Sequence, residues 1–221
     1  DNLIYGIAVR NGVDSLGNQV SQSNLVMYDA AGDTYRVGET PYRSWTADID
    51  NNGELWAFHS SMDRVTRIDL DSVDGNGNPE SETFKFPKEM ITDLVWDVGF
   101  DASSSTFYGI VRPYEAGLNA KLFQINISDI ASGGEPTFSS EPITGTLIDG
   151  TLVDGVPAIT FGAFVVDGDG NLYAGGNGGD HDLNGATKTS GGSYKVAKDE
   201  ASGAITLELV ADAPMAYSND G

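Results

Sequence analysis

VVDGDGNLYAGG (165–176) reads as a tight Asp/Gly turn feeding an aromatic-centred strand. DNLIYGIAV (1–9), ADIDNNGELWAF (47–58) and GFDASSSTFYGIV (99–111) give related signals. The anchor aromatics Tyr5, Trp56, Tyr108 and Tyr173 lie 51, 52 and 65 residues apart, and continuing from Tyr173 through Gly221 round to Tyr5 takes 53. The period closes on itself. It predicts a ring of like units sealed by pairing of the two ends of the chain: an all-β, four-bladed β-propeller occupying 1–221 as one domain.

Each period carries four strand signals. With the anchors as second strands, third strands read SNLVMYD (23–29), DRVTRIDL (63–70), AKLFQINI (120–127) and GSYKVAKD (192–199). Outer strands read DTYRVGE (33–39), SETFKFP (81–87), PTFSSEP (136–142) and ITLELVA (205–211). Several alternate apolar and polar residues, as half-buried strands do. Innermost strands precede each anchor: RSWTADID (43–50), DLVWDVGFD (93–101), TFGAFVVDG (160–168) and APMAYSNDG (213–221). The last finds its following strand only at the N-terminus, so the closing blade combines three strands from the start with one from the end, leaving no sheet edge exposed.

These repeats resemble the broad β-propeller superfamily whose blades carry an Asp-x-Asp-Gly-x-Leu-Tyr/Trp turn, in VVDGDGNLYAGG and, more loosely, ADIDNNGELWAF. The third repeat departs from it, with DASSSTFYG replacing the Asp-Gly turn. The resemblance spans nearly the whole chain. It implies architecture and not one activity, and such domains occur as modules of large bacterial secreted and surface proteins.

Composition narrows the function classes. The 221 residues hold 33 Asp and Glu against 12 Lys and Arg, a formal charge of −21. A field of that sign repels phosphate backbones and anionic headgroups, so neither nucleic acid nor membrane insertion is expected. Cysteine is absent, which removes disulfide scaffolds, thiolate metal sites and cysteine nucleophiles. High acidity, many Gly, Asn, Asp, Ser and Thr, and few Lys fit a bacterial extracellular or cell-surface protein. The acidity itself serves solubility or is neutralised in part by divalent cations.

Two loops space oxygens as calcium ligands do: Asp180, Asp182 and Asn184 with Gly185, and Asp48, Asp50 and Asn52 with Gly53. The first opens like an EF-hand loop, but Lys188 and Gly191 stand at its ninth and twelfth positions. Both loops also read as ordinary turns, because Asp and Asn accept turn N–H groups. Trp45 and Trp96, on equivalent inner strands, with Arg43 and Arg112, suit sugar or peptide recognition or else packing between blades. His59 follows the Trp56 anchor and faces either a ring mouth or solvent. Neither His59 nor His181 lies in a recognised nucleophile motif.

The expected function is a non-catalytic, calcium-stabilised binding or adhesion module that takes carbohydrate or protein at one mouth of the ring, within a larger surface or filamentous assembly. A carbohydrate-active hydrolase or lyase is the first alternative, with carboxylates and His59 near the axis. A structural building block packing against neighbouring domains or copies of itself is the second.

Overall fold

The Asp/Gly signal builds one hairpin turn at five places among the described residues. At Asp14, Asp29, Asp50, Asp74 and Asp167 the carboxylate Oδ1 accepts the backbone N–H groups two and four residues on, at 2.7–3.0 Å. The third residue after each is Gly17, Gly32, Gly53, Gly77 or Gly170, at φ between +80° and +86°. A side chain at that φ is strained, so glycine is the residue that fits. N–H donation favours the charged carboxylate: the backbone N–H of Arg36, ahead of Asn18 and Leu16, holds Asp14 down to about 2. Asp29, Asp74 and Asp167 are lowered for the same kind of reason. Part of the acidic excess is therefore spent on turns.

The computed structural model describes residues 3–86, 95–112, 120–157, 159–185, 190–199 and 201–217. The chain divides into two units, Asp1–Phe86 and Pro87–Gly221, each taken by itself. In the first, β1 (Ile4–Ile7), β2 (Gly12–Val13), β3 (Gln19–Val20), β4 (Asn24–Tyr28) and β5 (Thr34–Glu39) form a three-stranded β1-β4-β5 sheet plus the small β2–β3 hairpin. Next, β6 (Ser44–Ile49), β7 (Leu55–His59), β8 (Arg64–Val73) and β9 (Pro79–Lys85) make an antiparallel four-stranded meander. Leu25, Leu55, Ala57 and Ile68 form a buried cluster with Tyr5, Ile7 and Val37 against it.

The second unit contains β10 (Gly99–Asp101), β11 (Thr106–Val111), β12 (Lys121–Asn126), β13 (Thr137–Ile148), β14 (Thr151–Asp154), β15 (Phe161–Val166), β16 (Leu172–Gly179), β17 (Ser190–Lys198) and β18 (Ile205–Ala213). Two four-stranded meanders, β10 to β13 and β15 to β18, are present, as the strand signals require. They are not separate sheets. Outer strands β13 and β18 pair in parallel, Ile143 with Ile205 and Leu147 with Glu208, giving the order β10-β11-β12-β13-β18-β17-β16-β15. At the other end, Gly99 of β10 approaches Phe164 and Val166 of β15, and Asp97 Oδ2 accepts the Phe164 N–H at 2.7 Å. The sheet is thus a nearly closed barrel around Ile110, Ile143, Phe161, Phe164, Tyr194 and Leu207.

The sharing has a local cause. The first half of β13 pairs with β12 as far as Pro142, and beyond it the strand is free to take β18 on one side and β14 on the other. The expected outer strand 136–142 accordingly runs on to Ile148 and turns through Asp149 and Gly150, both at positive φ, into β14. β2, β3 and β14 are additions to the expected strand set. Within 93–101, the described strand is only Gly99–Asp101 plus an isolated Val95–Val111 bridge; 93–94 lie outside the described residues. The expected innermost strand 213–221 is corrected over its described part: Ala213 ends β18 and 214–217 form no strand. Residues 1–2 and 218–221, on which the expected closure depends, lie outside the described residues. No helix among the described residues is long and apolar enough to cross a membrane.

Candidate functional site

The β7–β8 turn gathers reactive side chains at one end of the β6–β9 sheet. His59 ends β7 opposite Ser44, and Arg64 begins β8 opposite Lys85 of β9. Between them the Met62 N–H bonds the His59 carbonyl at 2.8 Å, with Met62 buried and at φ +49°. That tight turn brings residues 59, 61 and 63 onto one another. His59 Nδ1 lies 2.6 Å from Ser61 Oγ, and Ser61 Oγ also bonds the Asp63 carboxylate.

Arg64 closes the other side. Its Nε and Nη2 hold Asp63 Oδ1 and Oδ2 at 2.9 and 2.5 Å, a two-point grip that keeps the Asp63 carboxyl well below the usual range and Arg64 firmly charged. The guanidinium stands 4.6 Å from the centroid of the Tyr42 ring, which meets His59 edge-on at 5.5 Å. The Ser61 hydroxyl, exposed, thus donates its one proton to the Asp63 carboxylate while touching His59 Nδ1, whose donor or acceptor role follows the imidazole tautomer. The nearest signal in the sequence is the alternation His59, Ser61, Asp63 directly after a strand. No nucleophile motif has that form.

The opposite end of the same sheet holds a cleft of about 160 Å³ lined by Glu54, Arg67, Asp69, Glu80, Ser81 and Glu82. Arg67 reaches Glu82 at 3.0 Å and Glu54 at 3.6 Å. Burial pushes the Glu54 carboxyl up, with Arg67 opposing. These contacts form a cross-strand charge ladder over β7, β8 and β9.

The other candidate residues are dispersed. Arg43 is exposed and immediately precedes β6, next to Tyr42, while Trp45 on β6 is 41% exposed. Trp96 is 38% exposed and Arg112 donates to Thr160 Oγ1 at 3.3 Å; both belong to the second unit, as Trp45 does to the first. Asp48 accepts the Ile49 N–H. Asp50, 5% exposed, is occupied by the Asn52 and Glu54 N–H groups on Oδ1 and the Trp56 indole on Oδ2 at 3.0 Å. Asp180 accepts the Asn184 and Gly185 N–H groups, and the Asn184 amide bonds Asp182. Among the described residues no three His, Asp or Glu side chains converge as a metal cage.

His181, inside that second loop, is a core residue. Its ring is 1% exposed, stacks on Tyr194 with centroids 5.6 Å apart, and has Nδ1 2.5 Å from the Tyr194 hydroxyl. Burial lowers the His181 pKa and raises that of Tyr194, so it disfavours the charged form of each.

No family model matches the chain and no curated protein is similar to it. It is similar to a GH43 protein, BlXynB, from Bacillus licheniformis at 9% identity, covering 93% of this chain and 40% of that one, with TM-score 0.47. A putative 6-phosphogluconolactonase from Bacteroides uniformis gives 13% identity, 96% and 68% coverage, and TM-score 0.44. The extracellular domain of a putative hybrid two-component system from B. thetaiotaomicron gives 11%, 87% and 20%, and TM-score 0.42. The chain spans a fifth to about two thirds of the length of these proteins. The expectation of a non-catalytic adhesion module is corrected at this point. Two of the neighbours named are described as a putative 6-phosphogluconolactonase and a GH43 protein, and none as an adhesion module.

Proposed function

We propose that this chain is a hydrolase for acyl bonds of carbohydrate-type substrates, esters or lactones, working at the β7–β8 turn. The observation that carries the reading is the 2.6 Å contact between His59 Nδ1 and Ser61 Oγ at an accessible sheet end. A hydroxyl touching an imidazole is the start of nucleophilic acyl transfer. Ser61 Oγ attacks the carbonyl carbon as His59 takes its proton. The C–O bond to the leaving alcohol then breaks, the alcohol takes that proton, and water releases the acyl group by the same route. Asp63, gripped by Arg64, orients the turn. Glycoside cleavage fits less well, since it needs two free carboxylates and the cluster's Asp63 is committed to Arg64.

The finer architecture belongs to the same proposal. The three-stranded β1-β4-β5 sheet and the three four-stranded meanders are read as four blades of a propeller. Calcium remains a proposal for Asp180, Asp182 and Asn184, which would trade their present N–H contacts for the ion; a melting temperature that falls on adding EDTA would support it. An extracellular bacterial setting fits the acidic, cysteine-free composition.

The test is turnover of a panel of sugar acetates and aldonolactones by the wild type and by Ser61→Ala. We expect kcat/KM to fall by about 10³-fold or more with melting unchanged. Equal turnover by Ser61→Ala, or none by the wild type, removes this reading.

A further inference from the structure

The β6–β9 sheet is electrically polarised along its strands. At the end bearing His59 and Ser61 stand Arg43, Arg64 and Lys85, against Asp63. Toward the other end stand Asp48, Asp50, Glu54, Asp69, Asp71 and Asp74, with Arg67 locked between Glu54 and Glu82. In a chain of net charge −21, three cations against one carboxylate at a single sheet end, among the described residues, are a departure from the background.

The acidic end does not cancel it. From Arg64 to Asp71 along β8 is seven residues, about 23 Å at roughly 3.3 Å per residue, whereas charges are screened over about 8 Å at physiological salt. Nor is the cationic end internally neutral. Asp63 is used by Arg64, while Arg43 and Lys85 are exposed and make no ion pair among the described residues. Two cations with no ion pair among the described residues thus stand at the sheet end that carries Ser61, one of them a guanidinium, whose planar fork matches a carboxylate or a phosphate at two points.

We infer that the site takes an anionic sugar, a monosaccharide unit bearing a carboxylate or a phosphate, whose charge is received by Arg43 with Lys85 adding to the field. The inference rests on the hydrolase reading for its location at Ser61 and on the charge pattern for its chemistry. It resolves a tension in the composition: a strongly acidic protein repels anionic ligands everywhere except where it concentrates cations, so the ligand is steered to this end. Tyr42, beside Arg43 and already engaged by Arg64, offers the adjoining aromatic edge for the sugar ring.

The experiment is calorimetric or NMR titration of the whole chain with sodium D-galacturonate, D-galactose 6-phosphate and D-galactose at low and high sodium chloride. At low salt the charged sugars bind at least about tenfold more tightly than galactose, and salt erases the difference. Whichever charged sugar binds more tightly identifies carboxylate or phosphate as the recognised group. Arg43→Gln abolishes the selectivity, Arg43→Lys restores part of it, and Ser61→Ala retains it. Equal binding of the three sugars, binding of none of them, or unchanged selectivity in Arg43→Gln overturns the inference. If the wild type selects the charged sugars yet hydrolyses nothing, the hydrolase reading falls and the anion site stands; hydrolysis of neutral esters without charge selectivity gives the reverse.

Discussion

The two histidines sit in stretches that look alike, with polar residues at alternate positions after a strand: His59, Ser61, Asp63 in one, Asp180, Asp182, Asn184 around His181 in the other. Their environments are opposite. Around His59 the side chains face each other at a half-exposed turn, and their hydrogen-bonding capacity is directed at one another. Around His181 the aspartates serve the loop, while the imidazole lies in the core against Tyr194.

Glycine makes the difference. A Cβ on Gly176 would lie 2.7 Å from His181 Cε1, and one on Gly192 would lie 2.6 Å from its Nδ1. The paired glycines of β16 and β17 form the flat bed on which the ring rests. No such bed exists at His59, whose strand neighbours are Phe58 and Ala57 and whose ring is propped by Tyr42. The backbone against which a histidine packs, more than the residues beside it in sequence, decides here between core and surface.

The contrast can be broken most severely at the bed. Gly176→Val drives a branched side chain into the His181 ring and should cost about 3 kcal/mol in urea unfolding, since a packed core cannot absorb it. Acid sharpens the contrast next. Burial sets the folded pKa of His181 below its ordinary 6.5, so the neutral form's stabilisation is complete above that pH and is lost as pH falls through it. Urea midpoints should therefore drop between neutral and mildly acidic buffer, and His181→Phe, which cannot titrate, should show a shallower drop. The smallest effect lies at the other histidine: His59→Ala should change stability by no more than about 0.5 kcal/mol.

The architecture was largely legible. Asp50, Asp167 and their glycines announce turns because the carboxylate and the left-handed glycine solve a local problem that needs no distant partner. Strands β7, β8, β12 and β17 fall where alternation put them. The hairpin of β13 and β14 was also within reach, since Asp149-Gly150 between Thr/Leu/Ile runs is a strong two-residue turn signal. The parallel β13–β18 pairing was not, because nothing local to Ile143 or Ile205, 62 residues apart, states that their strands will meet.

The site divides the same way. His59 and Arg43 could be singled out by type and place, but Ser61 was hidden among many serines. Its contact with His59 arises in a turn where Met62 adopts a positive φ and buries its side chain. Trp45 and Trp96 looked equivalent along the chain, and the structure places them in separate units.

By itself the sequence determined the all-β class, the Asp/Gly turns and most strand positions, because each depends on contacts within a few residues. The joining of two meanders into one sheet, the withdrawal of His181 into the core and the meeting of His59 with Ser61 were decided only in three dimensions. There, edge hydrogen bonds, glycine clearances and burial select among arrangements that are locally equivalent.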